Sequence, residues 1–108
     1  MRKAANEDAV IPAERQVLRA LCQGTPQGSV REIAKHILKD YRWRGPLNDV
    51  LFETLASLET DSPEVLRAQL PAVLTRRGFP DVPWEDFFAP HRLTKEDSEK
   101  LMRRLRQL

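Results

Sequence analysis

Thirteen consecutive residues, Pro46-Leu47-Asn48-Asp49-Val50-Leu51-Phe52-Glu53-Thr54-Leu55-Ala56-Ser57-Leu58, leave this chain little choice of fold. Leu47, Val50, Leu51, Leu55 and Leu58 recur at helical spacing, and Phe52 and Ala56 widen the same face. Pro46 stands where a first helical residue tolerates the loss of its N–H. Seven of the thirteen are apolar, so the helix needs cover on more than one side. That predicts a helix standing as the central post of a bundle.

The remaining segments repeat the helical period. Val17, Leu18, Leu21 and Cys22 form a stripe that Val10-Ile11-Pro12 opens and Gly24 closes. Glu14 then falls in the first turn, where a negative charge suits the helix dipole. Ser29-Val30-Arg31-Glu32 has the spacing of a capping box, followed by Val30, Ile33, Ala34, Ile37, Leu38 and Tyr41 on one face. Ser62 and Pro63 open another helix with Leu66, Leu70, Val73 and Leu74 along one side. Pro71 lies inside it, which predicts a kink or two short collinear helices ending at Gly78. Pro83 to Phe88 reads as a short aromatic turn. Thr94 and Asp97 cap a last helix carrying Leu101, Met102, Leu105 and Leu108.

No stretch alternates with period two. The expected class is all-α: a compact orthogonal bundle of five or six helices, forming a single domain over residues 10–108 behind a flexible arm over 1–9. At 108 residues the chain has material for one modest core. One cysteine, Cys22, excludes an internal disulfide framework and fits a reducing compartment, so a cytoplasmic location is expected. No apolar run approaches the roughly 20 residues a membrane span needs.

Charge is blocked along the chain, although the formal net charge is only +2. Residues 29–45 carry Arg31, Lys35, Lys39, Arg42 and Arg44 against Glu32 and Asp40. Residues 46–64 carry Asp49, Glu53, Glu59, Asp61 and Glu64 with no base. The C-terminal stretch is basic again, ending Arg103-Arg104-Leu105-Arg106. Such blocks either pair internally, each exposed pair contributing under about 1 kcal/mol, or present a two-signed surface to a partner.

Enzymatic signatures are missing from the sequence. There is no glycine-rich phosphate loop and no G-x-S-x-G. Cys22, His36 and His91 lack metal-ligand spacing, and Cys22 and His36 read as residues at the edge of the core. Asp81, Glu85 and Asp86 sit among prolines and read as a solvated acidic turn. The expectation is a non-enzyme with no cofactor.

Tyr41-Arg42-Trp43-Arg44 admits three readings. The rings pack beneath a helix corner while the arginines face water; or the four residues form a protein-binding hot spot; or they stack on bases and neutralise phosphates. The nucleic-acid reading would recruit Arg31, Lys35, Arg42, Arg103, Arg104 and Arg106. A helix-turn-helix beginning at Ser29 is disfavoured, because its recognition helix would be the acidic 46–58 helix facing phosphates.

Four stretches together carry a family resemblance. Ala13-Glu14-Arg15-Gln16-Val17-Leu18-Arg19-Ala20-Leu21 resembles A-E-x-x-V-L-x-A-L, and Asp40-Tyr41 an acidic-aromatic corner. Val50 to Leu58 resembles I-F-x-x-I-x-x-L, and Leu70 to Gly78 resembles L-x-x-x-L-x-x-x-G. The pattern, over residues 10–80, is similar to the N-terminal domain of the bacterial replicative helicase and to the helicase-binding domain of bacterial primase. The chain departs from it in lacking the His-Arg that precedes the aromatic helix in the helicase family, and it contains neither the nucleotide-binding motor nor the primase catalytic domain. The resemblance implies a helical interaction module in replication-type assemblies, associated with a helicase or primase and without catalysis of its own. From the residues themselves, the expected contacts with a protein partner are the corner Tyr41, Arg42, Trp43 and Arg44 and the face of the acidic 46–58 helix.

Overall fold

A computed structural model describes residues 2–60 and 62–107, with side chains described from residue 9 onward. Six helices are present among them: α1 (Arg2–Gln23), α2 (Arg31–Ile37), α3 (Pro46–Ser57), α4 (Pro63–Arg76), α5 (Trp84–Phe87) and α6 (Lys95–Leu105). No strand occurs among the described residues. Thr25 and Gly28 make an isolated antiparallel bridge across the turn after α1. The all-α, single-domain expectation holds, and the Cα radius of gyration of 13.3 Å is that of one packed domain, about 13 Å at this length.

The organising helix is α1, and this corrects the expected central role of α3. At 22 residues α1 spans about 33 Å and packs against α3, α4, α5 and α6. Val10, Val17, Leu18, Ala20, Leu21 and Cys22 are all buried on it. At about 100° per residue they cover roughly 200° of its circumference, far more than a surface helix buries. The backbone helix begins at Arg2 rather than Val10 and runs through Pro12, which is exposed. Of the arm expected over residues 1–9, Met1 lies outside the described residues, as do the side chains of 2–8.

Helix α3 matches its expected span closely, with Pro46 at the first helical position, and it packs on α1, α2 and α4. Its buried residues are Asn48, Leu51, Thr54 and Leu55, while Leu47, Val50, Phe52 and Leu58 lean on the core from its edge. Helix α4 is one continuous helix through Pro71, so of the two arrangements expected there the pair of separate short helices does not occur. Leu66, Leu70 and Leu74 keep one buried face across the proline, and that shared burial holds the helix together. Its end is a Schellman closure. Phe79 N–H donates to the Leu74 carbonyl and Gly78 N–H to that of Thr75, with Gly78 at φ +95°, a conformation that favours glycine.

Helix α2 differs most from expectation. Its N-cap is Val30, and the Ser29–Glu32 capping box does not form. Val30 is buried, so the turn is set by packing; the Ser29 hydroxyl takes the Arg31 N–H instead. The helix stops at Ile37, four residues short of Tyr41, where the Ile37 carbonyl accepts from Arg106 Nη1 of the C-terminal segment. The capping box of α6 forms as expected, Thr94 and Asp97 each accepting the other's N–H.

Candidate functional site

The corner joining α2 to α3 is built around a carboxylate delivered from α1. Glu14 is fully buried, at 0% exposure. Its Oε2 accepts from the Tyr41 hydroxyl at 2.6 Å and the Arg44 N–H at 2.8 Å. Its Oε1 accepts from Asn48 Nδ2 at 2.9 Å and the Gly45 N–H at 3.3 Å. A carboxylate is an acceptor only, and these four donors offset the desolvation that makes a buried carboxylate costly. Gly45 is the N-cap of α3 and has no side chain to close the first turn. Glu14 supplies negative charge beside that N-terminus in its place. Because α1 begins at Arg2, Glu14 is a mid-helix residue, not the first-turn residue expected.

Glu14 fixes Tyr41, on which the other rings of the corner build. Burial and the Glu14 bond raise the Tyr41 phenol above its ordinary pKa of 10.0. Tyr41 meets Trp43 edge to face at a centroid separation of 5.1 Å, and Trp43 lies tilted over Phe52 at 4.9 Å. All three rings are half-buried. The Trp43 Nε1–H is enclosed and has no acceptor among the described residues. Arg42 and Arg44 are exposed.

An open groove of about 370 Å³ runs along these rings. One wall is the end of α2 and the corner, with Leu38, Lys39, Tyr41 and Trp43. The other is the outer stripe of α3, with Asp49, Phe52, Glu53, Ala56 and Ser57. These α3 residues recur at intervals of three and four, so they share one side of the helix. Glu53 pairs with Arg77 at 3.3 Å, both groups largely exposed. Asp49 makes no ion pair among the described residues.

A second, smaller depression of about 280 Å³ lies on the other side of the corner. Asp40, Tyr41, Arg42, Arg44, Leu105 and Arg106 line it. It brings together two sets that the sequence separates by some sixty residues, the corner arginines and the C-terminal basic run.

The remaining candidate residues scatter. Arg31 is buried, at 6% exposure, and is withdrawn from the basic surface by correction. Its guanidinium donates to the Leu58 carbonyl at 2.6 Å and also to that of Thr60, tying α2 to the C-terminal end of α3. A basic side chain at a helix C-terminus is placed where free carbonyls accept. Lys35 is exposed and lies 3.5 Å from Glu32. Arg103 lies 3.7 Å from Glu99. Arg104 is exposed at the edge of a cleft between α1 and α6.

His36 is exposed and Cys22 is fully buried, so neither lies at the core edge as expected. Burial pushes the Cys22 thiol up to about 12, with the Arg31 charge pulling the other way. His91 is structural: one ring nitrogen lies 2.9 Å from the Gly24 carbonyl and the other accepts the Leu93 N–H. Among the described residues no three His, Cys, Asp or Glu side chains converge as a metal site. No described helix is long and apolar enough to cross a membrane.

Asp86, expected to be merely solvated, anchors α5 to α1. Arg15 reaches it at 3.1 Å and Arg19 at 2.6 Å, and Arg19 Nε also donates to the Asp86 carbonyl. Gln23 adds bonds to the carbonyls of Phe87 and Ala89. Arg15, Arg19 and Gln23 form one i, i+4, i+8 line on α1.

Sequence reasoning picked Tyr41, Trp43 and the acidic face of α3, but it did not single out Asp49 or Phe52 on that face and missed the buried role of Glu14. A signal for Glu14 was present: it interrupts an apolar stripe, four residues after Val10 and three before Val17. A carboxylate in the middle of a buried face requires donors from another segment. Comparison with protein families, with curated proteins and with solved structures finds no match to this chain.

Proposed function

We propose that this chain is a non-catalytic protein–protein interaction module that docks a partner on the α2–α3 corner, the partner being a replicative helicase or primase. The observation that carries the reading is the half-exposed stack of Tyr41, Trp43 and Phe52, open to a groove and held from beneath by Glu14. Aromatic residues that are rigid before binding lose little entropy on contact and are the usual anchors of protein interfaces. The helicase or primase identity is supported by the sequence resemblance, whose matching stretches fall on α1, the α2–α3 corner, α3 and α4.

The test is a calorimetric titration of the chain against the replicative helicase and the primase of its own source. Saturable binding is expected to at least one, and Trp43→Ala, verified as folded by circular dichroism, weakens it by at least about 2 kcal/mol. Unchanged binding by folded Trp43→Ala would remove the corner from the interface.

A nucleic-acid reading rests on a different observation, the meeting of Arg42, Arg44 and Arg106 around one depression. It requires binding to DNA or RNA that falls steeply with salt. No binding to either at low salt would eliminate it.

A further inference from the structure

We infer that the groove between the corner and α3 receives a basic partner segment, with an arginine or lysine seated against Asp49 and Glu53 and an apolar neighbour laid on Trp43 and Phe52. This rests on the interaction reading above and specifies the chemistry of its partner.

Charge complementarity selects this occupant. The α3 wall offers two exposed carboxylates one helical turn apart, Asp49 and Glu53, with the half-buried Phe52 ring on the same wall. Among the described residues of the α3 segment, 46–60, no basic side chain opposes them. Glu53 already draws a guanidinium, that of Arg77, at 3.3 Å, whereas Asp49 pairs with none among the described residues. A guanidinium is planar and weakly hydrated, so it can lie on a ring while its edge donates to a carboxylate. The chain itself uses this arrangement elsewhere: Arg15 lies 5.5 Å from the Phe87 ring centre while reaching Asp86 at 3.1 Å, and Arg67 lies 5.7 Å from the ring centre of Phe88.

The opposite wall has the other sign. Lys39 stands there beside Leu38 and Tyr41, so the two walls differ in charge. A docked segment is therefore oriented, its base toward α3 and any acidic group toward Lys39. A phosphate backbone would have to run past Asp49 and Glu53, which is unfavourable.

The experiment is a random peptide display selection on the full chain, followed by binding of the selected peptides and by the 15N-resolved Trp43 indole resonance. Peptides enriched in arginine or lysine beside leucine or an aromatic residue are expected. They should shift the Trp43 resonance and bind the Asp49→Asn/Glu53→Gln double variant roughly tenfold more weakly. Both substitutions are on exposed side chains, so the variant keeps the fold. Selected peptides that are acidic or uncharged yet still shift Trp43 would overturn the basic assignment and leave the interaction reading standing. So would equal affinity for the double variant. Selection of no peptide, or only of peptides that leave Trp43 unshifted, would overturn both. Single-stranded DNA run as a parallel probe should leave the resonance unmoved, and a shift would overturn the assignment.

Discussion

Helix α1 holds two parts of the molecule by polar contacts, and the two grips are opposites. Toward the α2–α3 corner it offers one fully buried carboxylate, Glu14, which accepts from four donors. Toward α5 it offers two arginines to one Asp86, an aspartate 38% exposed, and a glutamine to the carbonyls of Phe87 and Ala89. In the first, every partner depends on a group that water cannot replace. In the second, water stands ready to take over from any partner that is lost. Packing depth, rather than the number of bonds, decides which grip the fold depends on.

Removing the buried partner is therefore the most damaging single change. Glu14→Ala should lower stability by roughly 3–5 kcal/mol in urea denaturation, because it strands four donors around an enclosed space. A loss under about 1 kcal/mol would collapse the contrast between the two grips.

Alkaline pH should act next, through two groups whose protons the fold holds more tightly than the unfolded chain does. The Cys22 thiol is raised from 9.0 to about 12 in the fold, and the Tyr41 phenol is raised as well. Above pH 9 the unfolded chain releases protons that the folded chain keeps, so the folded state binds more protons and stability falls as pH rises. The thiol alone contributes a slope approaching about 1.4 kcal/mol per pH unit between its two values. Urea midpoints measured from pH 8 to pH 11 check this, and Cys22→Ala should flatten the early part of the decline. An unchanged slope in that variant would show that the thiol is not the group responsible.

Tyr41→Phe isolates one of the four donors. It leaves three on Glu14 and the ring contact with Trp43 intact, so a loss of about 1–2 kcal/mol is expected by the same measurement. The smallest effect belongs to the other grip: Asp86→Asn should cost under about 1 kcal/mol, because its arginines are already partly solvated. A cost matching that of Glu14→Ala would mean that α5 is as essential as the corner.

The same distinction explains what could be read from the residues alone. The stripes at Val17/Leu18/Leu21 and Leu66/Leu70/Leu74 needed only the helical period, and each proved to be a buried face. On α6, where Leu101, Leu105 and Leu108 were expected along one side with Met102 beside them, the buried face is Ser98, Met102 and Leu105, and Leu108 lies outside the described residues. The Thr94–Asp97 cap was legible because its two groups sit in one local turn. Ser29 and Glu32 have the same spacing, yet burial of Val30 moved the cap by one residue. Glu14, Arg31 and Asp86 were misjudged together, and for one reason. Each finds its partners at a separation of 27 residues or more, where local pattern carries no information. The aromatic corner was found by composition, but the groove beside it required α3 to be set against the end of α2. The acidic face of α3 was expected as a contact, but its Asp49 and Phe52 could be set against Tyr41 and Trp43 only then.

The burial of Cys22 has a use beyond packing. It is the chain's one thiol, fully enclosed on the helix that touches most of the others, and at neutral pH it is almost wholly protonated. A thiol reagent can reach it only when the surrounding helices separate. The labelling rate of the unmodified protein thus measures how often its interior opens, and a partner seated on the corner would be read as a slower clock.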